Sequence, residues 1–252
     1  MSILDLARRA GDVSARDVAA GILIYAPPGA GKTHTAVMGG RPLVVLMERN
    51  GLTTVRRANP DAQVLVVDSV REVRDVVLAA LHGEVGKAGF DRIVFDSLTE
   101  FQRMLKDEIL SDKGEEGATF SLQDWGILTD RMRKFLRTIR SMPIAVVATA
   151  LAAETQDDTG KVMIRPAFEG RKTSAEVAQF FSAVGVAIKR VSTSQETKEV
   201  TAQYRTMFDG PSTFLTKSCG DGVCGVVDPD VVGWLASMQG GPVAVEEDRA
   251  TA

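Results

Sequence analysis

Residues 22–33 read Ile-Leu-Ile-Tyr-Ala-Pro-Pro-Gly-Ala-Gly-Lys-Thr. An apolar run ends at Ala26, a loop of proline and glycine follows, and residues 33–38 are suited to a helix. The loop has the pattern G-x-x-x-x-G-K-[ST], with Ala26 in place of the first glycine. When a strand precedes this pattern and a helix follows it, backbone N–H groups surround the phosphates of a nucleotide. The stretch therefore predicts a phosphate-binding loop after a buried strand.

Each part of this loop has an expected role. The predicted nucleotide-binding residues are Pro28, Gly29, Ala30, Gly31, Lys32, Thr33 and His34. Lys32 is expected to contact the β- and γ-phosphates, and the Thr33 hydroxyl is expected to bind Mg²⁺. Pro27 and Pro28 fix φ and have no N–H group, so they shape the loop without donating to phosphate.

The rest of the chain alternates between apolar runs and helical segments, which is typical of a mostly parallel sheet covered by helices. Runs that are continuously apolar predict strands buried on both faces. The predicted strands are residues 22–26, 42–47, 64–68, 92–96, 144–150 and 183–189. The predicted helices are residues 33–38, 70–81, 98–110, 121–141 and 174–181.

The pattern changes after residue 189. Residues 200–208 and 213–216 are strand candidates separated by Asp209-Gly210-Pro211, which predicts a hairpin and an antiparallel C-terminal edge. The fold class is therefore α/β. We expect a helical segment over residues 1–20, one ATPase-like core over 21–238 and a disordered acidic tail over 239–252.

Composition excludes several classes of protein. The chain has 252 residues, of which 44% are hydrophobic, and a formal net charge of −3, so it is neither disordered nor a protein that coats nucleic acid through bulk charge. The longest uncharged apolar stretch, residues 143–153, is too short to span a bilayer. Two cysteines cannot supply the four ligands of a structural zinc site. We expect a soluble, cytoplasmic protein.

Two carboxylates are candidates for the chemistry of the site. Asp96 ends an apolar strand, where it is expected to help bind Mg²⁺, although such an Asp also commonly caps the next helix. Many hydrolysing proteins of this kind have Glu directly after that Asp, but here the next residue is Ser97. Glu48, at the end of another predicted strand, is the alternative general base. Its other interpretation is a surface residue paired with Arg49.

The segments APPGAGKT, PLVVLMERNG and RIVFDSLTEF, in this order, resemble the ATPase core of RecA and the recombinases. A polar interruption at residues 111–117, a long capped helix and the strand PIAVVATALA follow in the same succession as in that family. The compact size is similar to the small phage-encoded RecA-like ATPases related to the Sak single-strand annealing proteins. The resemblance covers residues 21–218.

This resemblance implies a RecA-like fold, ATP and Mg²⁺ as cofactors, single-stranded DNA as partner and assembly into a ring or filament, in the host cytoplasm if the chain is phage-encoded. It places Thr149 as γ-phosphate sensor, where the family often has Asn-Gln. It also makes Lys217 the candidate for a lysine that contacts the nucleotide of a neighbouring subunit. Arg56 or Arg57 is the candidate for the adenine contact.

The resemblance also implies DNA-binding loops. The first is the polar interruption at residues 111–117, and the second is residues 152–172. The predicted DNA-binding residues of the second loop are Arg165, Phe168, Arg171 and Lys172. Phe168 is expected to stack on a base. A solvated hairpin without a ligand is the alternative, and a second basic candidate is the helical stripe of Arg133, Arg137 and Arg140.

Two further functions stay open at this stage. One is a P-loop ATPase with another DNA-processing role, such as packaging or helicase loading, which would need a Glu after the strand Asp or an arginine finger. The other is a nucleotide-binding module that hydrolyses weakly and assembles a complex. DNA-stimulated ATP hydrolysis would favour the recombination protein over both.

Overall fold

A computed structural model describes residues 20–156, 160–193, 200–219 and 223–239, without the side chains of residues 171, 172 and 200. The expected N-terminal helix and acidic tail therefore lie outside the described residues, apart from residues 20 and 239. The strands are β1 (Gly21–Ala26), β2 (Pro42–Leu46), β3 (Gln63–Val66), β4 (Arg92–Asp96), β5 (Ala145–Gln156), β6 (Val162–Pro166), β7 (Ala183–Thr193), β8 (Val200–Met207) and β9 (Val226–Val227).

The α-helices alternate with these strands through the first two thirds of the chain. They are α1 (Lys32–Val37), α2 (Leu52–Ala58), α3 (Val70–Leu81), α4 (Glu84–Lys87), α5 (Leu98–Ser111), α6 (Leu122–Arg140), α7 (Arg171–Glu176) and α8 (Val231–Met238). Short 3₁₀ turns occupy Arg49–Gly51 and Val177–Phe180.

The strand order of the central sheet is β3-β2-β4-β5-β1-β7-β8-β9. The pairs from β3 to β7 are all parallel, and β8 and β9 continue the sheet in antiparallel fashion. β6 pairs antiparallel with the second half of β5. The predicted α/β fold with an antiparallel C-terminal edge is thus confirmed.

The sheet separates two apolar cores because alternate strand residues point to opposite faces. Leu23 and Tyr25 of β1 belong to the core beneath α3, α5 and α6, whereas Ile22 and Ile24 belong to the core with α1 and α8. In the first core the Phe135 ring of α6 lies 5.7 Å from the Phe95 ring and 4.0 Å from the Phe101 ring. These contacts tie α5 and α6 to β4.

Several predicted elements differ from the structure. β3 is an exposed edge strand rather than a buried one, with Leu65 43% and Val66 40% accessible. Residues 213–216 form no strand and do not pair with β8, whose partners are β7 and β9. The helix predicted from residue 174 begins at Arg171. Local pattern does not identify an edge position, because only the strand order decides which strand lacks a neighbour.

Candidate functional site

The predicted phosphate-binding loop connects β1 to α1. Gly29 and Gly31 adopt φ values of 77° and 96°, a left-handed conformation that favours glycine. Ala26, which replaces the first glycine of the pattern, is the last residue of β1 and has the extended backbone of a strand. The glycine is therefore not required there, and the departure from the pattern leaves the loop intact.

Lys32 is buried beneath this loop, and its ammonium holds the loop in shape. Lys32 Nζ donates to the carbonyl oxygens of Ala26 at 3.1 Å and Pro27 at 3.0 Å. Burial lowers the pKa of Lys32, while the carboxylates of Asp96 and Glu48 oppose that shift. The ammonium thus lies close to both predicted acidic residues.

Asp96 connects the loop to the sheet. Thr33 Oγ1 donates to Asp96 Oδ2 at 2.8 Å, and the buried Thr149 Oγ1 donates to Asp96 Oδ1. Burial raises the pKa of Asp96, and the hydrogen bonds from Thr149 and Thr33 counteract that rise. Because β5 lies between β1 and β4, its residue Thr149 reaches the Asp96 carboxylate from the adjacent strand.

The Thr33 hydroxyl and the Asp96 carboxylate fit a magnesium ion. Mg²⁺ prefers oxygen ligands and is usually bound through one or two carboxylates together with substrate phosphates. The two oxygens already lie 2.8 Å apart beside the loop. These two residues would hold the ion, and the ion, when bound, would supply positive charge next to the phosphates.

Glu48 lies at the same edge of the sheet. It follows β2 by two residues, is exposed, and accepts a hydrogen bond from Ser97 Oγ at 3.0 Å. Its neighbour Arg49 pairs with Asp68 instead, so the alternative Glu48–Arg49 ion pair is absent from the described residues. Ser97, the residue after Asp96, therefore orients the Glu48 carboxylate through one oxygen and leaves its other oxygen available.

A cavity of about 510 Å³ opens beside the loop. Its lining residues are Gly29, Gly31, Lys32, Thr33, His34, Thr53, Thr54, Arg57, Lys189, Ala202 and Tyr204. Among the described residues, the lining contains three cations, Lys32, Arg57 and Lys189, and no carboxylate. Such a lining favours an anionic ligand. Of the two candidate arginines for the adenine contact, Arg57 lines this cavity and Arg56 does not.

The sequence did not indicate the part of the cavity wall that comes from β7 and β8, nor Thr53 and Thr54 of α2. Lys189 and Tyr204 are register partners across the β7–β8 pair, and both line the cavity. The His34 and Tyr204 rings stack with centroids 4.4 Å apart. Burial, followed by the charge of Arg57, lowers the pKa of His34. No local motif marks Tyr204, because its contact with the loop depends on the position of β7 beside β1.

Lys217 lies at the end of the strands opposite to the phosphate loop. Its backbone bridges to Val184 near the start of β7, and its Nζ donates to the Phe181 carbonyl at 2.6 Å. β7 is parallel to β1, so the start of β7 and the phosphate loop are at opposite ends. Lys217 therefore does not contact the nucleotide site of its own chain.

The predicted second DNA loop forms a hairpin of β5 and β6 and the start of α7. Phe168 is only 8% accessible and belongs to the apolar core, so the prediction that its ring is available for base stacking is wrong. Arg165, on β6, is half-buried near Tyr25. Arg171 and Lys172 are the first two residues of α7, and their side chains lie outside the description.

The sheet order, the loop and the Thr33–Asp96 pair together define a P-loop ATPase. A family model described as an AAA domain matches residues 19–218, and the chain belongs to this family, AAA_24. No curated relative matches the chain.

One similar solved structure is described as a prototypical ATPase from the type III secretion system of pathogenic bacteria. It is 16% identical, with a TM-score of 0.42, and the match covers 71% of this chain and 52% of that one. The chain thus spans about half the length of that structure. Within the part of the chain that the structure describes, no helix has both the length and the apolar character needed to cross a membrane.

Proposed function

We propose that the chain is an ATP-hydrolysing, RecA-like protein of the small phage recombinase and Sak type, which binds single-stranded DNA and promotes annealing or strand pairing as an oligomer. The observation that carries the proposal is the anion-suited cavity beside Lys32, next to the Thr33–Asp96 pair. Its cations match the phosphates of ATP, and its paired oxygens match Mg²⁺.

The residues around the loop would have different roles in hydrolysis. Lys32 would leave the carbonyls of Ala26 and Pro27 to contact the phosphates, exchanging two neutral acceptors for charged ones. Glu48 would orient the attacking water and accept its proton. Ser97 would position Glu48 through the hydrogen bond that it donates.

A single strand offers the link between ATP and DNA. The first half of β5 carries Thr149, which contacts Asp96, and its second half pairs with β6. A change in the ligands of Asp96 would act on this strand and through it on the hairpin. We propose Arg165, Arg171 and Lys172 as the phosphate-contacting residues of that hairpin and of the start of α7.

The proposed oligomer would bring a second subunit to the nucleotide. Lys217 is exposed and far from the loop of its own chain, so any contact it makes with a γ-phosphate would be with the nucleotide of a neighbouring subunit. The lysine would exchange the Phe181 carbonyl for a charged phosphate oxygen.

Steady-state ATP hydrolysis with Mg²⁺, measured with and without single-stranded DNA, tests the proposal. We expect hydrolysis that single-stranded DNA increases, and its loss in Lys32→Ala because the phosphates lose their buried cation. Lys87→Ala, which changes an exposed lysine of α4, is the matched control and should behave as the unaltered protein.

Two outcomes would contradict separate parts of the proposal. Turnover that persists in Lys32→Ala would rule out the phosphate loop as the site of hydrolysis. A rate of ATP hydrolysis that single-stranded DNA does not change would contradict the recombination role. It would favour an ATPase of another kind, such as a packaging or loading protein.

A further inference from the structure

The Tyr204 ring covers the phosphate loop from the side. A Cβ built on Gly31 would lie 2.3 Å from Tyr204 Cδ1, so the ring packs directly on the backbone of a residue that has no side chain. The Tyr204 ring also stacks with the His34 ring, with a centroid distance of 4.4 Å and an interplanar angle of 30°. The position of Tyr204 is thus set by two residues of the loop region.

Lys189 adds a cation to the same wall. Its Nζ lies 5.8 Å from the centre of the Tyr204 ring, and the two residues are opposite each other on β7 and β8. A cation at this distance from an aromatic face is attracted to the ring. The antiparallel β7–β8 pair therefore contributes one aromatic ring and one cation to the wall of the cavity.

The cavity has two chemically different parts. Gly29, Gly31, Lys32 and Thr33 form a part suited to phosphates. Among the other lining residues, Tyr204 and His34 offer aromatic rings, Arg57 offers a planar guanidinium, and Thr53 and Thr54 offer hydroxyl groups. A flat, partly apolar surface with hydroxyl groups suits a nucleobase and its ribose, because aromatic rings and guanidinium planes stack on bases.

We propose that the nucleobase of the bound nucleotide stacks against the aromatic wall formed by Tyr204 and His34, with Arg57 and Lys189 at its margins. This inference rests on the proposed binding of ATP at the loop and adds the residues that recognise its base. The wall depends on β8, so the antiparallel edge of the sheet is part of the nucleotide site.

Inorganic tripolyphosphate separates base binding from phosphate binding, because it carries the phosphates of ATP without the nucleoside. We would measure the Kd of ATP and of tripolyphosphate by calorimetry, both with Mg²⁺. Tyr204→Ala should weaken ATP binding about tenfold, the order expected for one lost stack, and leave tripolyphosphate binding unchanged. Tyr204→Phe keeps the ring and should retain most of the ATP affinity.

Gln203→Ala is the matched control, since Gln203 is the exposed neighbour of Tyr204 on β8 and does not line the cavity. His34→Ala is a second, independent variant with the same expected selective loss, so the inference stays testable if Tyr204→Ala does not fold. Equal loss of both ligands, or no loss of either, in the folded variants would overturn the inference.

Lys32→Ala keeps the two proposals distinguishable. If it loses both ligands while Tyr204→Ala and His34→Ala bind ATP normally, the phosphate loop stands and the stacking wall is wrong. If Lys32→Ala binds both ligands normally, the proposed function itself fails.

Discussion

Thr33, Asp96 and Thr149 come from three parts of the chain and meet through two hydrogen bonds to one buried carboxylate. A buried carboxylate without such donors would be costly, because burial disfavours its charged form. The two hydroxyls lower that cost and orient the oxygens. Several oxygen atoms are thus held in fixed positions next to the buried Lys32.

The proposed general-base role of Glu48 can be tested by substitution. Glu48→Gln keeps the size of the side chain and an oxygen that can accept the hydrogen bond from Ser97, but it cannot take a proton from water. We expect the kcat of ATP hydrolysis to fall by roughly 10²–10⁴-fold with little change in the Kd of ATP. Single-turnover kinetics and calorimetry would measure the two quantities.

Asp68→Asn is the control for this change, because Asp68 is an exposed acid of the same region that pairs with Arg49. It should leave kcat unaltered. A kcat in Glu48→Gln within about threefold of the unaltered protein, far below the expected 10²–10⁴-fold loss, would assign the base to another residue.

At the element scale, α6 begins with a complete capping box. Ser121 accepts from the backbone N–H of Asp124, and the Asp124 side chain accepts from the backbone N–H of Ser121. Lys113, from the segment after α5, also donates to Asp124. One carboxylate therefore caps α6 and attaches the α5–α6 connection to it.

Acid should weaken this attachment. The hydrogen bond from Lys113, together with those from Ser121, lowers the pKa of Asp124 to about 2, whereas an unfolded Asp titrates near 3.9. Since the folded-state pKa is the lower one, the stabilising contribution is complete above about pH 4 and disappears as the pH falls toward about 2. Asp124→Asn removes the charge and hence this dependence.

Urea unfolding at a series of pH values from 7 to 3 would measure the effect. The difference in unfolding free energy between the unaltered protein and Asp124→Asn should be largest at pH 7 and shrink toward pH 3. Asp107→Asn, an exposed acid of α5, should show no such trend. A difference that is constant with pH would contradict the ionic role of Asp124.

At the scale of the whole molecule, the strand order gathers the functional groups on one edge. β1, β2, β4 and β5 are parallel, so their carboxyl ends lie together and carry the phosphate loop, Glu48, Asp96 and the β5–β6 hairpin. The longer β7 and β8 extend past this edge beside the loop. Lys217 lies at the opposite end of the strands, beside the start of β7.

This arrangement predicts assembly that depends on ligands. With Mg²⁺, ATP and an oligonucleotide, the mass should rise from that of the 27.0 kDa chain to a multiple of it, because a nucleotide held between subunits adds its binding energy to their contact. Light scattering would measure the mass. Lys32→Ala should fail to assemble, and a protein that stays monomeric with all ligands present would contradict the proposed oligomer.

Much of the fold and part of the site could be predicted from local sequence. Strand β4 and helix α3 have the predicted bounds, since continuous apolar runs and a 3.6-residue period are properties of short segments. The phosphate loop, Asp96 and Glu48 were predictable for the same reason, as each lies at the end of a recognisable strand. The capping box of α6 is likewise a local feature, because its two residues lie within the four residues 121–124.

The remaining features of the fold and of the site depend on how the strands are ordered in the sheet. Tyr204 and Lys189 line the cavity beside the phosphate loop because β7 pairs with β1 and β8 pairs with β7, and no local sequence pattern predicts these pairings. Phe168 is buried although its segment alternates like an exposed strand, and β3 is exposed although it is apolar. The sequence determined the elements and the loop chemistry, whereas burial and long-range contact depend on the strand order that assembles them.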